Sequence, residues 1–182
     1  MRKGSLFSVT MKILALVTLV ITLILAAAHR LFPASWLLPT AISFGTTAYH
    51  FCMRLAVGYL IPKLPFDPCH GWFRPRSWEA GFYGFLRVKR WKGKLPTYDP
   101  NEFSLKTQTL EQILRNMCAA ELVHEAIMVL SLVPIAFSPI FGALPVFLVT
   151  SLTACLFDGL FVIAQRYNRP RLARLVRRGK TA

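Results

Sequence analysis

Four long apolar runs, separated by strongly basic segments, constrain this chain more than any other feature. They lie at about 11–28, 36–61, 117–137 and 144–164. Each is close to the roughly 20 residues needed to cross a bilayer core as a helix. A backbone in hydrocarbon has to satisfy its own N–H and C=O groups, and within one segment only a helix does so. The expectation is an all-α integral membrane protein with about four transmembrane helices, forming a single membrane domain over 1–182. The first run follows Arg2 and Lys3 and ends in Ala26-Ala27-Ala28. Its apolar stretch is long for a signal-peptide core of roughly 7–15 residues, so a retained anchor is expected.

Between the second and third runs the character changes. Residues 63–116 interleave Lys63, Arg74, Arg87, Lys89, Arg90 and Lys92 with Trp72, Phe73, Trp78, Phe82, Tyr83 and Trp91. This stretch is too charged to span and too aromatic for a disordered linker. It reads as a basic, aromatic-rich interfacial helical segment, with rings at headgroup level and cations towards phosphate. A helix is expected over 77–91, with Ser77 as its N-cap, then a turn over 93–101. The next helix should start near Thr107 or Thr109.

The tail from Gln165 is again basic, with Arg166, Arg169, Arg171, Arg174, Arg177, Arg178 and Lys180. Threading four spans with the N-terminus inside puts the N-terminus, the central segment and the tail in the cytoplasm, as the positive-inside rule requires. The chain is therefore expected in the cell membrane as a multi-pass protein with both termini cytoplasmic.

Composition then sorts the partners. The chain is 54% hydrophobic yet carries a formal charge of +14. Basicity alone would suggest nucleic acid. With these apolar runs, membrane lipids and a phosphate-bearing substrate are the expected partners, and nucleic acid is not. Cys52, Cys69, Cys118 and Cys155 form no CxxC pair. They read as small buried hydrophobes, and neither a metal site nor a bound cofactor is expected.

Charged groups inside spans are costly and so mark candidate function. Arg54, with His50 one turn deeper, lies near the inner end of the second run. Glu121, His124 and Glu125 lie in the first turns of the third, and Asp158 near the inner end of the fourth. At about 1.5 Å rise per residue all sit roughly 5–15 Å inside the cytoplasmic boundary. A shared polar pocket open to that side is the functional reading. Arg54 paired with Glu121 or Asp158 as a mere helix lock is the structural one. Glu121 and His124 are one helical turn apart, and a histidine beside a carboxylate suits general-base activation of a hydroxyl. The segment Gln165-Arg166-Tyr167-Asn168-Arg169-Pro170-Arg171 reads either as a stop-transfer anchor or as a donor cluster able to hold phosphate. There is no Gly-rich phosphate loop, GxSxG elbow or HExxH pattern.

Three stretches in order, Val88-Lys89-Arg90-Trp91-Lys92, Ala120-Glu121-Leu122-Val123-His124 and Gln165 to Leu172, resemble the glycosyl-4,4'-diaponeurosporenoate acyltransferase family of carotenoid biosynthesis. QRYNRPRL is the most specific of them, and the resemblance covers roughly residues 75–178. It implies a membrane enzyme that moves a fatty acyl group onto a sugar hydroxyl of a lipid-like glycoside, a glucosylated carotenoid carboxylate in that pathway. It puts weight on Trp91, Lys92, Glu121, His124, Gln165, Arg166, Tyr167, Asn168, Arg169 and Arg171. Glu125 departs from the pattern, which favours an aromatic there.

The expected mechanism has His124, oriented by Glu121, take the proton from a sugar hydroxyl that attacks the acyl carbonyl directly. Arg54 and Asp158 complete the pocket. Arg166, Arg169 or Arg171 would hold donor phosphates, and Asn168 or Tyr167 would stabilise the oxyanion. Acyl-CoA is the expected donor, as a substrate. Two other classes stay open: a non-catalytic membrane scaffold gripping anionic lipid, and a small transporter or accessory subunit with Arg54, Glu121 and Asp158 on an ion path.

Overall fold

The computed structural model describes residues 6–181, without the side chains of the last three; Arg2, Lys3 and the Lys180 side chain lie outside that description. All its regular elements are helical. In chain order they are α1 (Leu6–Leu31), α2 (Leu37–Leu60), α3 (Glu79–Phe85), α4 (Val88–Trp91), α5 (Leu110–Leu130), α6 (Ser138–Phe141) and α7 (Leu144–Thr181), with short 3-10 turns between them. Three stretches are long and apolar enough to cross a membrane: Leu6–Leu31, Leu110–Phe141 and Leu144–Arg178. With 24 residues α2 has the length. His50, Arg54 and its run of hydroxyl side chains make it less apolar than the other three.

The packing is inside-out relative to a water-soluble bundle. On α1 the large residues Leu16, Leu23 and Ile24 are each more than 60% exposed. The buried residues there are Ser8, Met11, Ala15 and Thr18, a stripe at helical spacing that faces α2. Small residues let helix backbones approach where lipid competes for every large apolar side chain. A Cβ on Gly45 of α2 would come within 3.3 Å of the Thr22 methyl on α1, so that approach is close. The hydroxyls in this seam bond within their own helices, Thr18 to the Leu14 carbonyl at 2.7 Å and Thr46 to that of Ile42 at 3.0 Å.

The second pair is α5 with α7, and α2 touches both of these helices. Met53 and Val57 of α2 bury against Ile127 of α5, and the Tyr49 hydroxyl donates to the Leu130 carbonyl at 2.8 Å. α5 begins where its sequence dictates. The Thr109 side chain accepts from the Gln112 N–H (3.2 Å) and the Gln112 side chain accepts from the Thr109 N–H (2.9 Å). This capping box is worth about 1 kcal/mol. α5 ends before Pro134, and a positive φ at Gly142 turns the chain into α7.

Two local readings change, and the first is that Cys52 and Cys69, expected to be buried, are exposed, while Cys118 is buried. In the second, the single helix expected over 77–91 is broken into α3 and α4, and its N-cap is Trp78 rather than Ser77. Gly81 and Gly84 weaken the helix. The Trp91 indole N–H takes the Leu86 carbonyl at 2.9 Å, which holds the break in place. Arg87 pivots there at φ 49°, ψ 41°, a left-handed conformation costing a non-glycine residue about 1–2 kcal/mol. The basic tail is helical. α7 runs for 38 residues through Pro170, roughly 57 Å at 1.5 Å per residue, and so projects well beyond a bilayer core of about 30 Å.

Candidate functional site

Two polar clusters sit among α2, α5, α7 and the segment over 63–116. The first centres on Asp158 of α7, which is 1% exposed. A buried carboxylate needs a charge partner and hydrogen bonds. Arg54 of α2 supplies an ion pair to Oδ2. His124 of α5 meets Oδ1 through Nδ1 at 2.8 Å. Arg54 also donates to the carbonyls of His50 and Ala154, both at 3.4 Å, so it is held from two helices. The imidazole stacks on Phe161, with centroids 4.5 Å apart and planes 13° from parallel. With the Asp158 carboxylate as acceptor, this pairing puts the imidazole proton on Nδ1 and leaves Nε2 to act as the base. His50 is buried nearby, and neither of its ring nitrogens has a hydrogen-bond partner among the described residues.

The second cluster is closed. Glu121 is fully buried; its Oε1 accepts from Arg166 Nη1 at 2.7 Å and its Oε2 is ion-paired with Arg169. Glu79 of α3, 2% exposed, takes Arg166 through Nε (3.0 Å) and Nη2 (2.6 Å). Its other oxygen accepts the Tyr83 hydroxyl at 3.0 Å. Burial first, then the Glu79 charge, pushes the Tyr83 phenol up to about 12, so it stays a donor. Arg169 also donates to the Phe73 carbonyl at 2.5 Å. Two carboxylates and two guanidiniums thus neutralise one another and bind residues 73–83 to α5 and α7.

The expected convergence holds for Arg54, His124 and Asp158. The partner of His124 is corrected. Glu121, one turn away on the same helix, turns to the α7 arginines, whose forked donors satisfy both its oxygens. Asp158, one helix across, orients the base. Two further corrections follow. Arg166 and Arg169 are committed to Glu79 and Glu121 and are not free for donor phosphate. Tyr167 and Asn168 lie nine and ten residues beyond Asp158, roughly 14–15 Å along α7, too far to bond an oxyanion formed beside His124. The remaining candidates gather around Tyr167. Lys92 bonds the Asn168 side-chain oxygen and lies 4.7 Å over the Tyr167 ring, and Arg171 lies 5.4 Å from that ring. Trp91 serves the Leu86 carbonyl, and Gln165, half-buried, takes part in none of these contacts. Glu125 accepts from the Trp72 indole at 2.8 Å.

Glu79 was missed in the sequence. Its signal was its isolation, as the one carboxylate between Asp67 and Asp99 in a stretch crowded with cations. Beyond Arg166 a cleft of about 590 Å³ opens between α3, α4 and the basic part of α7, and none of Arg54, Glu121, His124 or Asp158 lines it. Among the described residues no three His, Cys, Asp or Glu side chains converge as metal ligands.

The family model described as glycosyl-4,4'-diaponeurosporenoate acyltransferase matches residues 69–178. That range holds Glu79, Glu121, His124, Asp158 and the whole α7 arginine group, and leaves out Arg54. No curated protein and no solved structure matches the chain. The match spans more than half of the chain and both polar clusters, and the chain belongs to the glycosyl-4,4'-diaponeurosporenoate acyltransferase family, as an acyltransferase.

Proposed function

We propose that this acyltransferase moves a fatty acyl group from acyl-CoA onto a sugar hydroxyl of a lipid-linked glycoside, with a carotenoid glycoside as the acceptor the family points to. The observation that carries the reading is the Arg54–Asp158–His124 relay, which leaves one imidazole nitrogen free as a base beside apolar helices able to take an acyl chain. His124 Nε2 accepts the proton of the sugar hydroxyl as its oxygen attacks the thioester carbonyl. Asp158 stabilises the imidazolium, and Arg54 holds Asp158 in register. The tetrahedral intermediate then collapses, the C–S bond breaks, and the leaving thiolate takes the proton back from His124. Among the described residues no serine or cysteine is hydrogen-bonded to His124, which favours direct transfer over a covalent acyl-enzyme.

Lipid profiling of cells with and without the protein tests the reading. An O-acylated glycolipid should appear only with it. An unchanged glycolipid profile together with a new acylated species of another class would overturn the acceptor.

The same reading needs the site at the cytoplasmic face, where CoA is found, with α2 as a fourth crossing. Single cysteines at Thr97 and Ser138, in a chain whose exposed Cys52 and Cys69 are replaced, should label from opposite sides, Thr97 only from the cytoplasm. Labelling of Thr97 from outside intact cells would reverse the topology.

A further inference from the structure

The cleft beyond Arg166 is unlike the two clusters beside it, because its charge is not balanced. Arg76, Arg87, Lys89 and Arg90 line one wall, and Arg171 and Arg174 the other. The carboxylate on its lining, Glu79, is already taken by Arg166 and Tyr83. Among the described residues, no Asp or Glu lies within ion-pair distance of any of the six cations. Holding six like charges around one concavity is unfavourable unless a polyanion completes it. The field is felt next door: burial first, then Arg171 and Lys89, lowers the Lys92 ammonium.

A second observation is independent of charge. Arg87 occupies a left-handed conformation at the end of α3, where helices commonly use glycine. Backbone strain of this kind clusters at functional sites. Here the strained residue carries a guanidinium to the cleft wall. The third observation is reach. The α7 residues of the cleft, Arg166 to Arg174, lie eight to sixteen positions beyond Asp158, roughly 12–24 Å along the helix. The pantetheine arm of a CoA thioester spans roughly 15 Å at the per-bond reach of an extended chain. Phosphates in the cleft would leave the thioester carbonyl at the depth of His124.

We propose that this cleft binds the nucleotide end of the acyl donor, holding its several phosphates between the α3–α4 wall and the basic turn of α7. The ligand's identity rests on the acyl-CoA reading above; the polyanion specificity rests on the cleft alone. Tyr83 and Tyr167, packed edge-to-face at 5.8 Å on its floor, offer aromatic surface to the base.

The test is binding of CoA itself, by titration calorimetry, to the full chain in phosphatidylcholine nanodiscs. Wild type should bind saturably, with an affinity that falls as salt screens the charges. Arg90→Ala with Arg171→Ala should weaken binding about tenfold or more, the effect expected for lost charge-assisted hydrogen bonds. Arg90→Lys with Arg171→Lys should restore part of it. Arg87→Gly should weaken CoA binding while keeping or raising the thermal midpoint, because glycine adopts this conformation without strain. That variant separates binding from folding. Lys106→Ala, a charge removed outside the cleft, should leave the affinity unchanged. Equal CoA affinity in wild type and the alanine pair would overturn the proposal. So would a result in which the pair loses only its adsorption to phosphatidylglycerol vesicles, which would assign the cleft to lipid headgroups. Cleft-dependent CoA binding without an acylated glycoside product would refute the acceptor chemistry and leave the cleft standing. Acyl transfer by the alanine pair at wild-type donor KM would do the reverse.

Discussion

His124→Ala should lower acyl-transfer turnover by about 10²-fold or more at equal expression, the range for removal of a general base. The protein should still insert and fold. His124 is only partly buried and its loss leaves Asp158 paired with Arg54, so no unpaired charge is created. The donor KM should move little, since the imidazole acts on the acceptor hydroxyl and not on the CoA phosphates. Asp158→Asn should also cut turnover, by a different route. An amide can present its NH2 to Nδ1 and hold the imidazole in the wrong tautomer, with the proton on Nε2 where the base is needed. It also deprives Arg54 of its counter-charge, so some loss of stability should accompany it. Near-normal turnover by folded His124→Ala would remove His124 from the mechanism and direct attention to His50, whose buried ring nitrogens have no hydrogen-bond partner among the described residues.

How far the sequence could be read depended on which physical variable decided each feature. Depth was legible, because helical rise is fixed. Counting residues from the ends of apolar runs placed Arg54, His124 and Asp158 in one layer, and their side chains do meet. The start of α5 was legible because a capping box is local chemistry. Azimuth was not legible. Spacing made Glu121 a neighbour of His124, but the carboxylate turns to guanidiniums forty-five and forty-eight positions later in the chain, brought alongside by the α5–α7 packing. The α3–α4 break was missed for a similar reason. It depends on the Trp91 indole reaching back to the Leu86 carbonyl, which no propensity encodes. How far α7 continues past its apolar run was not legible, because composition marks where a helix leaves the hydrocarbon, not where it stops. The helix continues through arginines that pair with Glu79 and Glu121.

Glu121→Ala should destabilise the folded protein by about 3–5 kcal/mol, the cost of removing one partner from a buried ion-pair network. The Arg169 guanidinium, almost fully buried, would lose its carboxylate and keep the Phe73 carbonyl and ring. Arg166 would keep Glu79 and the Trp72 and Arg74 carbonyls. The expected signature is a large drop in the thermal midpoint in detergent and easier proteolysis between residues 73 and 83, since that segment is what the cluster holds down. Glu121→Gln should cost less, because its amide oxygen can still accept from one arginine. Turnover supplies the deciding comparison with His124→Ala. Glu121 makes no hydrogen bond to His124, so turnover per folded molecule should stay within a fewfold of wild type when measured below the lowered midpoint. The two variants should thus be mirror images, one folded and slow, the other unstable and competent. A Glu121→Gln protein with an unchanged midpoint and a turnover loss of the His124→Ala size would move Glu121 from the clamp into the catalytic centre.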